Sequence, residues 1–102
     1  MRLPTLIFDE IDSGTSGKVA NVIGDLMKKI GFESQIIAIS HLAQVAAKAS
    51  NHFKVYKILS SNKPKTLLRK LNHEERIEEI AAMISADNIT NPALDQAIEL
   101  LK

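Results

Sequence analysis

A chain of 102 residues, nearly half of them apolar, has material for one small domain able to bury about 60–65% of its unfolded surface. Its formal net charge of +1 provides no bulk attraction for nucleic acid or membrane. The lack of cysteine rules out disulfides and thiolate metal sites and fits a reducing compartment. No apolar run approaches the ~20 residues of a membrane span, and Met1-Arg2-Leu3-Pro4 is too short and polar for a secretion signal.

Thr5–Asp9 reads as a buried strand, a short apolar run closed by a turn signal, as in a parallel sheet. It begins almost at once, so the chain is expected to be the later part of a longer protein. The run ends in two adjacent carboxylates, Asp9 and Glu10, and Ser13–Gly17 follows as a small-residue loop. From Lys18 to Ile30, Val19, Val22, Ile23, Leu26, Met27 and Ile30 recur at helical spacing, with Asn21, Asp25, Lys28 and Lys29 opposite. Ser16 is the expected N-cap, Gly31 the expected C′ residue, and Gly24 the expected mark of a close packing contact.

Gln35–Ser40 is a second apolar strand ending in Ser40 and His41, and Ala-rich Leu42–Ala49 favours helix. Phe53, Val55 and Ile58 belong to a third strand. Ser60–Pro64 is a turn from which Thr66–Leu71 returns as the other arm of a hairpin. Asn72 with Glu75 forms a box-like helix start before Ile77, Ile80, Ala81 and Ile84. Asn91-Pro92 opens a last helix carrying Leu94, Ala97, Ile98 and Leu101 on one face.

Strand, helix and strand in that order form a βαβ unit, whose two strands run parallel. Their carboxyl ends then share one edge, where open α/β sheets bind ligands. Asp9-Glu10 and Ser40-His41, distant in sequence, must therefore converge. That trio suits phosphoryl transfer to water. Asp9 can hold Mg²⁺ directly or through water, Glu10 can orient or deprotonate the attacking water, and His41 can hydrogen-bond the terminal phosphate. The plainer alternatives are a solvated strand end for the acids and a structural role for the histidine.

Gly14-Thr15-Ser16-Gly17-Lys18 imitates a phosphate-binding loop but fails as one: Asp12 stands where the first glycine belongs, and Val19 follows the lysine in place of Ser or Thr. A glycine loop at a helix start can still approach phosphates. Lys63, Lys65, Arg69 and Lys70 form a small basic cluster, read either as a contact for DNA phosphates or as a solvated hairpin tip. His52 and His73 lack ligand spacing with His41, so no zinc site is expected.

Leu6 through Gly17 resembles the Walker B and D-loop segment of the ABC-type ATPase heads of the SMC-like family, and Ile39–Ala49 resembles its H-loop. Glu74–Ala81 and Ala93–Leu101 resemble its closing helices. The resemblance implies an α/β fold, a partial P-loop NTPase head occupying residues 1–102: a mainly parallel sheet with flanking helices, a β-hairpin and two C-terminal helices. It implies ATP and Mg²⁺ as cofactors, Asp9 as the metal-associated acid, Glu10 as the catalytic base and His41 as the switch histidine near the γ-phosphate. Asp12, Ser13, Gly14, Ser16, Gly17 and Ser40 would lie on the nucleotide side, the D-loop meeting a second head in a homodimer. The family's Walker A loop, Q-loop, signature motif and coiled coil, which precede Walker B, have no counterpart in these residues.

The chain is thus expected to be the C-terminal, hydrolytic part of a cytoplasmic, nucleoid-associated ATPase of DNA double-strand break repair, inactive alone. A different reading is a non-catalytic module that pairs through an exposed sheet edge. Both expect self-association, because an unpaired edge and uncovered apolar surface invite it.

Overall fold

The computed structural model describes residues 4–10, 14, 16–86 and 88–102. Strand β1 (Thr5–Asp9) leads through helix α1 (Gly17–Ile30) to β2 (Gln35–Ile39), and the strands pair in parallel with Thr5 opposite Gln35 and Asp9 opposite Ile39. This is the expected βαβ unit. Phe8 and Ile36 point to the α1 side, where they pack around Ala20, Met27 and Val45. The alternate residues Ile7, Ile37 and Ile39 face away and stay exposed, because no element among the described residues covers that side.

Helix α1 starts at the expected cap, the Ser16 hydroxyl accepting from the Val19 N–H at 3.5 Å. Its buried face differs from the apolar stripe. Ala20, Gly24 and Met27 are the buried positions, whereas Val19, Val22 and Leu26 remain exposed, Val22 at 62% and Leu26 at 57%. The reason is the neighbour. Short helix α2 (Ala43–Ala46) crosses so near that a Cβ on Gly24 would meet the Gln44 carbonyl oxygen at 3.2 Å and Val45 Cα at 3.5 Å. Only the small-residue face of α1 permits that approach. Gly31 caps the helix in the right-handed region, φ −61°, instead of the left-handed geometry common at C′.

The helix expected over Leu42–Ala49 is regular only for Ala43–Ala46. Beyond it the carbonyls of Ala46, Ala47 and Ala49 accept hydrogen bonds from Arg76 on a later helix, at 3.3, 3.5 and 2.9 Å. Those acceptors are drawn into a cluster around one guanidinium, and regular helix ends there.

β3 (Phe53–Ser60) and β4 (Lys63–Lys70) form an antiparallel hairpin that is its own two-stranded sheet. The turn is tighter than Ser60–Pro64: Ser61 and Asn62 alone make it, at φ +51° and +64°, the left-handed pair of a primed hairpin turn. α3 (His73–Ser85) opens on the expected capping box, with Glu75 N–H to Asn72 Oδ1 at 2.8 Å and Asn72 N–H to Glu75 Oε1 at 3.0 Å. α4 (Asn91–Leu100) is capped by Thr90, one residue earlier than Asn91-Pro92 indicates.

α3 and α4 enclose the better core. Ile80, Ala81, Ala93 and Ala97 are buried with Ala43 and Ala47, flanked by Ile77, Ile84, Leu94 and Leu101, while Ile98 stays exposed. α2 therefore contributes to both clusters, Ala43 and Ala47 to the helical one and Val45 to the βαβ one. It joins the two halves of the molecule. Among the described residues no helix is long and apolar enough to cross a membrane.

Candidate functional site at the carboxyl edge of the parallel pair

The edge is defined by the register. Asp9 lies opposite Ile39, and one step further the Glu10 N–H donates to the Ile39 carbonyl at 2.8 Å. Glu10 therefore leaves β1 beside the point where β2 passes into Ser40 and His41. The convergence derived from strand order is present. Asp9, Glu10 and His41 are all exposed, so each can meet a ligand from solvent.

Glu10 adds a feature that the residue pattern did not reveal. Its φ is +52°, a left-handed conformation uncommon outside glycine, asparagine and aspartate. Such a backbone costs on the order of 1–3 kcal/mol and persists where the surroundings impose it. Here the hydrogen bond to Ile39 holds the amide while the chain turns out of the sheet. Glu10 thus breaks from the extended backbone that Asp9 still shares with β1.

On the β2 side, the Ser40 hydroxyl accepts from the Leu42 N–H at 3.0 Å, fixing the bend that presents His41 ahead of α2. Gly17, at the start of α1, lies against the same segment: a Cβ there would come within 3.0 Å of Gln44 Nε2. Ser16 is engaged as the α1 cap. Gly14 has φ +78° and open space around it. The Asp12 and Ser13 assignments lie outside the described residues.

The composition of the edge bears on the metal. Asp9 and Glu10 offer hard carboxylate oxygens, and neither is spent in an ion pair with another described residue. Among the described residues no three His, Cys, Asp or Glu gather into an all-protein cage. Mg²⁺ characteristically needs none, taking one or two carboxylates and completing its shell with water and substrate phosphates. The donor set fits that ion.

One residue behind the site, Arg76, is given no structural part in the sequence reading. Arg76, the one cation in the acidic run Glu74–Glu79, fastens the segment behind His41 through its three carbonyl contacts. Its position amid four glutamates was the available signal. His52 is half-buried beside it, with Nδ1 shielded and unpartnered. Burial first, then the positive charges of Arg76 and Lys54, hold the His52 pKa below its ordinary value, with Glu79 opposing them. His52 is a structural neutral imidazole. Arg76, buried in turn, has its own pKa lowered by desolvation.

The fold is similar to part of a solved structure described as "Structural biochemistry of ATP-driven dimerization and DNA stimulated activation of SMC ATPases", with a TM-score of 0.59 and 24% identity, over 74% of this chain and 45% of that one. In sequence the chain is similar to the DNA repair protein RecN of Rickettsia conorii (46% identity over 98 residues, 96% of this chain), of Haemophilus influenzae (39% over 99 residues, 97%) and of Deinococcus radiodurans (38% over 98 residues, 96%). Nearly the whole chain is a RecN-like segment. It spans 17–18% of the length of those relatives. No protein-family model matches it.

Proposed function

We propose that the chain is the C-terminal, hydrolytic edge of a RecN-type ATPase head acting in DNA double-strand break repair. One observation carries the reading: the parallel register that brings Asp9 and Glu10 beside Ser40 and His41. In this assignment Asp9 holds Mg²⁺, which when bound supplies charge neutralisation to the phosphates. Glu10 accepts the proton of the attacking water. His41 donates to the terminal phosphate and, through the Ser40 bend and α2, relates its occupancy to both apolar clusters. The segment that resembles the D-loop, of which Gly14, Ser16 and Gly17 are described, is assigned to a second head. The phosphate-binding loop comes from elsewhere in a longer polypeptide, so residues 1–102 alone do not turn over ATP.

The uncovered apolar surface supports this placement. Ile7, Ile37 and Ile39 on the sheet and Val19, Val22 and Leu26 on α1 need a cover that the described residues do not provide. The chain by itself is expected to self-associate through these faces.

The test is a chimera in which this segment replaces the aligned segment of the Haemophilus influenzae relative. Mg²⁺-dependent ATP hydrolysis should survive the exchange and fall about 10²–10⁴-fold on Glu10→Gln, the range a general base contributes. A Glu10→Gln chimera as active as its parent would overturn the assignment. So would Mg²⁺-dependent turnover by residues 1–102 alone.

A further inference from the structure

The near-neutral total hides a strong segregation of charge. Residues 53–70 hold six of the thirteen Lys and Arg and none of the twelve Asp and Glu, so the hairpin carries +6 against −5 for the remainder. The register sorts these cations. Lys54 and Arg69 are cross-strand partners on the face turned to α3, where Lys54 pairs with Glu79 at 2.7 Å and Arg69 with Glu75 at 2.6 Å. These two pairs anchor the base of the hairpin. Lys57, Lys63, Lys65 and Lys70 are exposed and form no ion pair with any described residue.

We infer that the β3–β4 hairpin is a contact surface for the phosphate backbone of duplex DNA, made through Lys57, Lys63, Lys65 and Lys70. The inference rests on the DNA-repair reading above for the identity of the polyanion, and on the hairpin itself for the surface. Lys63 and Lys65 lie on one face of β4 about 7 Å apart, beside the tip. Lys57 and Lys70 lie on the opposite face. The two-residue left-handed turn fixes the strand register at the end of the ribbon. A two-stranded ribbon is also narrow enough to lie in or along a DNA groove.

An apolar protein partner fits less well. The outer face does expose Phe53, Val55, Leu59 and Leu68, but Lys70 is the cross-strand partner of Phe53, and Lys57 lies between Val55 and Leu59 on that face. An apolar dock would desolvate both lysines without compensation, a cost of several kcal/mol. DNA phosphates compensate them directly and release counterions in doing so.

The experiment is fluorescence anisotropy of the 102-residue chain with a labelled duplex of ~25 base pairs, between 50 and 200 mM salt. Four phosphate contacts predict that log affinity falls with log salt at a slope of about −3.6, roughly a 10²-fold weakening across that range. Replacing Lys57, Lys63, Lys65 and Lys70 by Ala should nearly abolish the slope. The tip pair Lys63→Ala/Lys65→Ala, away from the α3 anchor, should halve it, and replacing all four by Arg should restore it. Lys28→Ala/Lys29→Ala on α1 should leave it unchanged.

No binding at 50 mM salt, or a tip pair variant with the parental slope, overturns the inference. So does a quadruple variant that turns a dimer into a monomer in sedimentation while DNA affinity is unaltered, since the lysines would then be meeting the acidic face of a second copy. Failure here is separable from failure of the ATPase reading. An active chimera with a slope insensitive to the lysines removes the hairpin surface alone, whereas a lysine-dependent slope with a Glu10-independent chimera removes the hydrolytic assignment alone.

Discussion

The helical half and the βαβ half of this chain are enclosed to different degrees. Ile80, on α3, is fully buried between α2 and α4 and is the largest side chain so enclosed. Among the described residues of the βαβ half, Ala20 is the hydrophobic side chain that reaches that burial, and Met27 retains 9% exposure. The same half leaves three isoleucines exposed on the sheet and an α1 stripe exposed on the helix. The two halves teach that burial follows the supply of neighbours and not the hydrophobicity of the element. The helical half has its partners within the chain, whereas the βαβ half, which bears the candidate site, has a cover on one side only.

The contrast can be broken most sharply in the helical half. Ile80→Ala should cost about 2–5 kcal/mol, the range for emptying a well-packed site, and Met27→Ala should cost clearly less because its surroundings are partly open. Denaturant midpoints of the two variants measure the difference, and equal losses would refute it.

The next effect concerns the joint between the halves. Arg76→Ala removes three carbonyl contacts and should destabilise the chain by about 2 kcal/mol, as for hydrogen bonds to a charged group. Hydrogen exchange should show the Ala46–Ala49 segment opening before α3. Asn72→Ala, which removes the side-chain half of the capping box and leaves the backbone N–H to Glu75, is expected to cost about 1 kcal/mol by the same denaturation measurement.

Two smaller effects sharpen the comparison. Val22→Lys with Leu26→Lys should leave the stability of the isolated chain within about 0.5 kcal/mol, since both side chains already face water. It should also lower self-association in sedimentation. Finally, His52 has a folded pKa below its ordinary 6.5, so the unfolded chain takes up the proton first as pH falls. Its contribution is therefore level above 6.5, and stability declines as pH drops through that value toward the folded pKa. Thermal melts between pH 8 and 5 should show His52→Asn losing less stability on acidification than the parent chain.

Much of this was legible in advance where the interaction is local. β1 runs from Thr5 to Asp9 as read, although it is exposed at alternate positions and not the buried strand expected, the Asn72–Glu75 box and the Ser16 cap formed where their spacing put them, and Gly24 marked a close contact. Even the meeting of Asp9-Glu10 with Ser40-His41 followed from element order, because a βαβ crossover leaves the parallel arrangement as the expected one. Those features depend on a few residues of neighbouring chain, or on the chirality that all such chains share.

What tertiary structure alone decided depends on which neighbour is present. Val19, Val22 and Leu26 have the period of a buried face, yet α2 approaches the opposite, glycine-bearing side, which admits a helix closer. Leu42–Ala49 has helical composition throughout, yet a guanidinium from α3 gathers its last carbonyls and ends it early. Glu10 adopts a left-handed backbone at the strand end, where its N–H donates a hydrogen bond to the Ile39 carbonyl. The residue types and their order set the local elements and the shared edge. Long-range packing, which no local pattern encodes, set which faces are covered and how Glu10 leaves the strand.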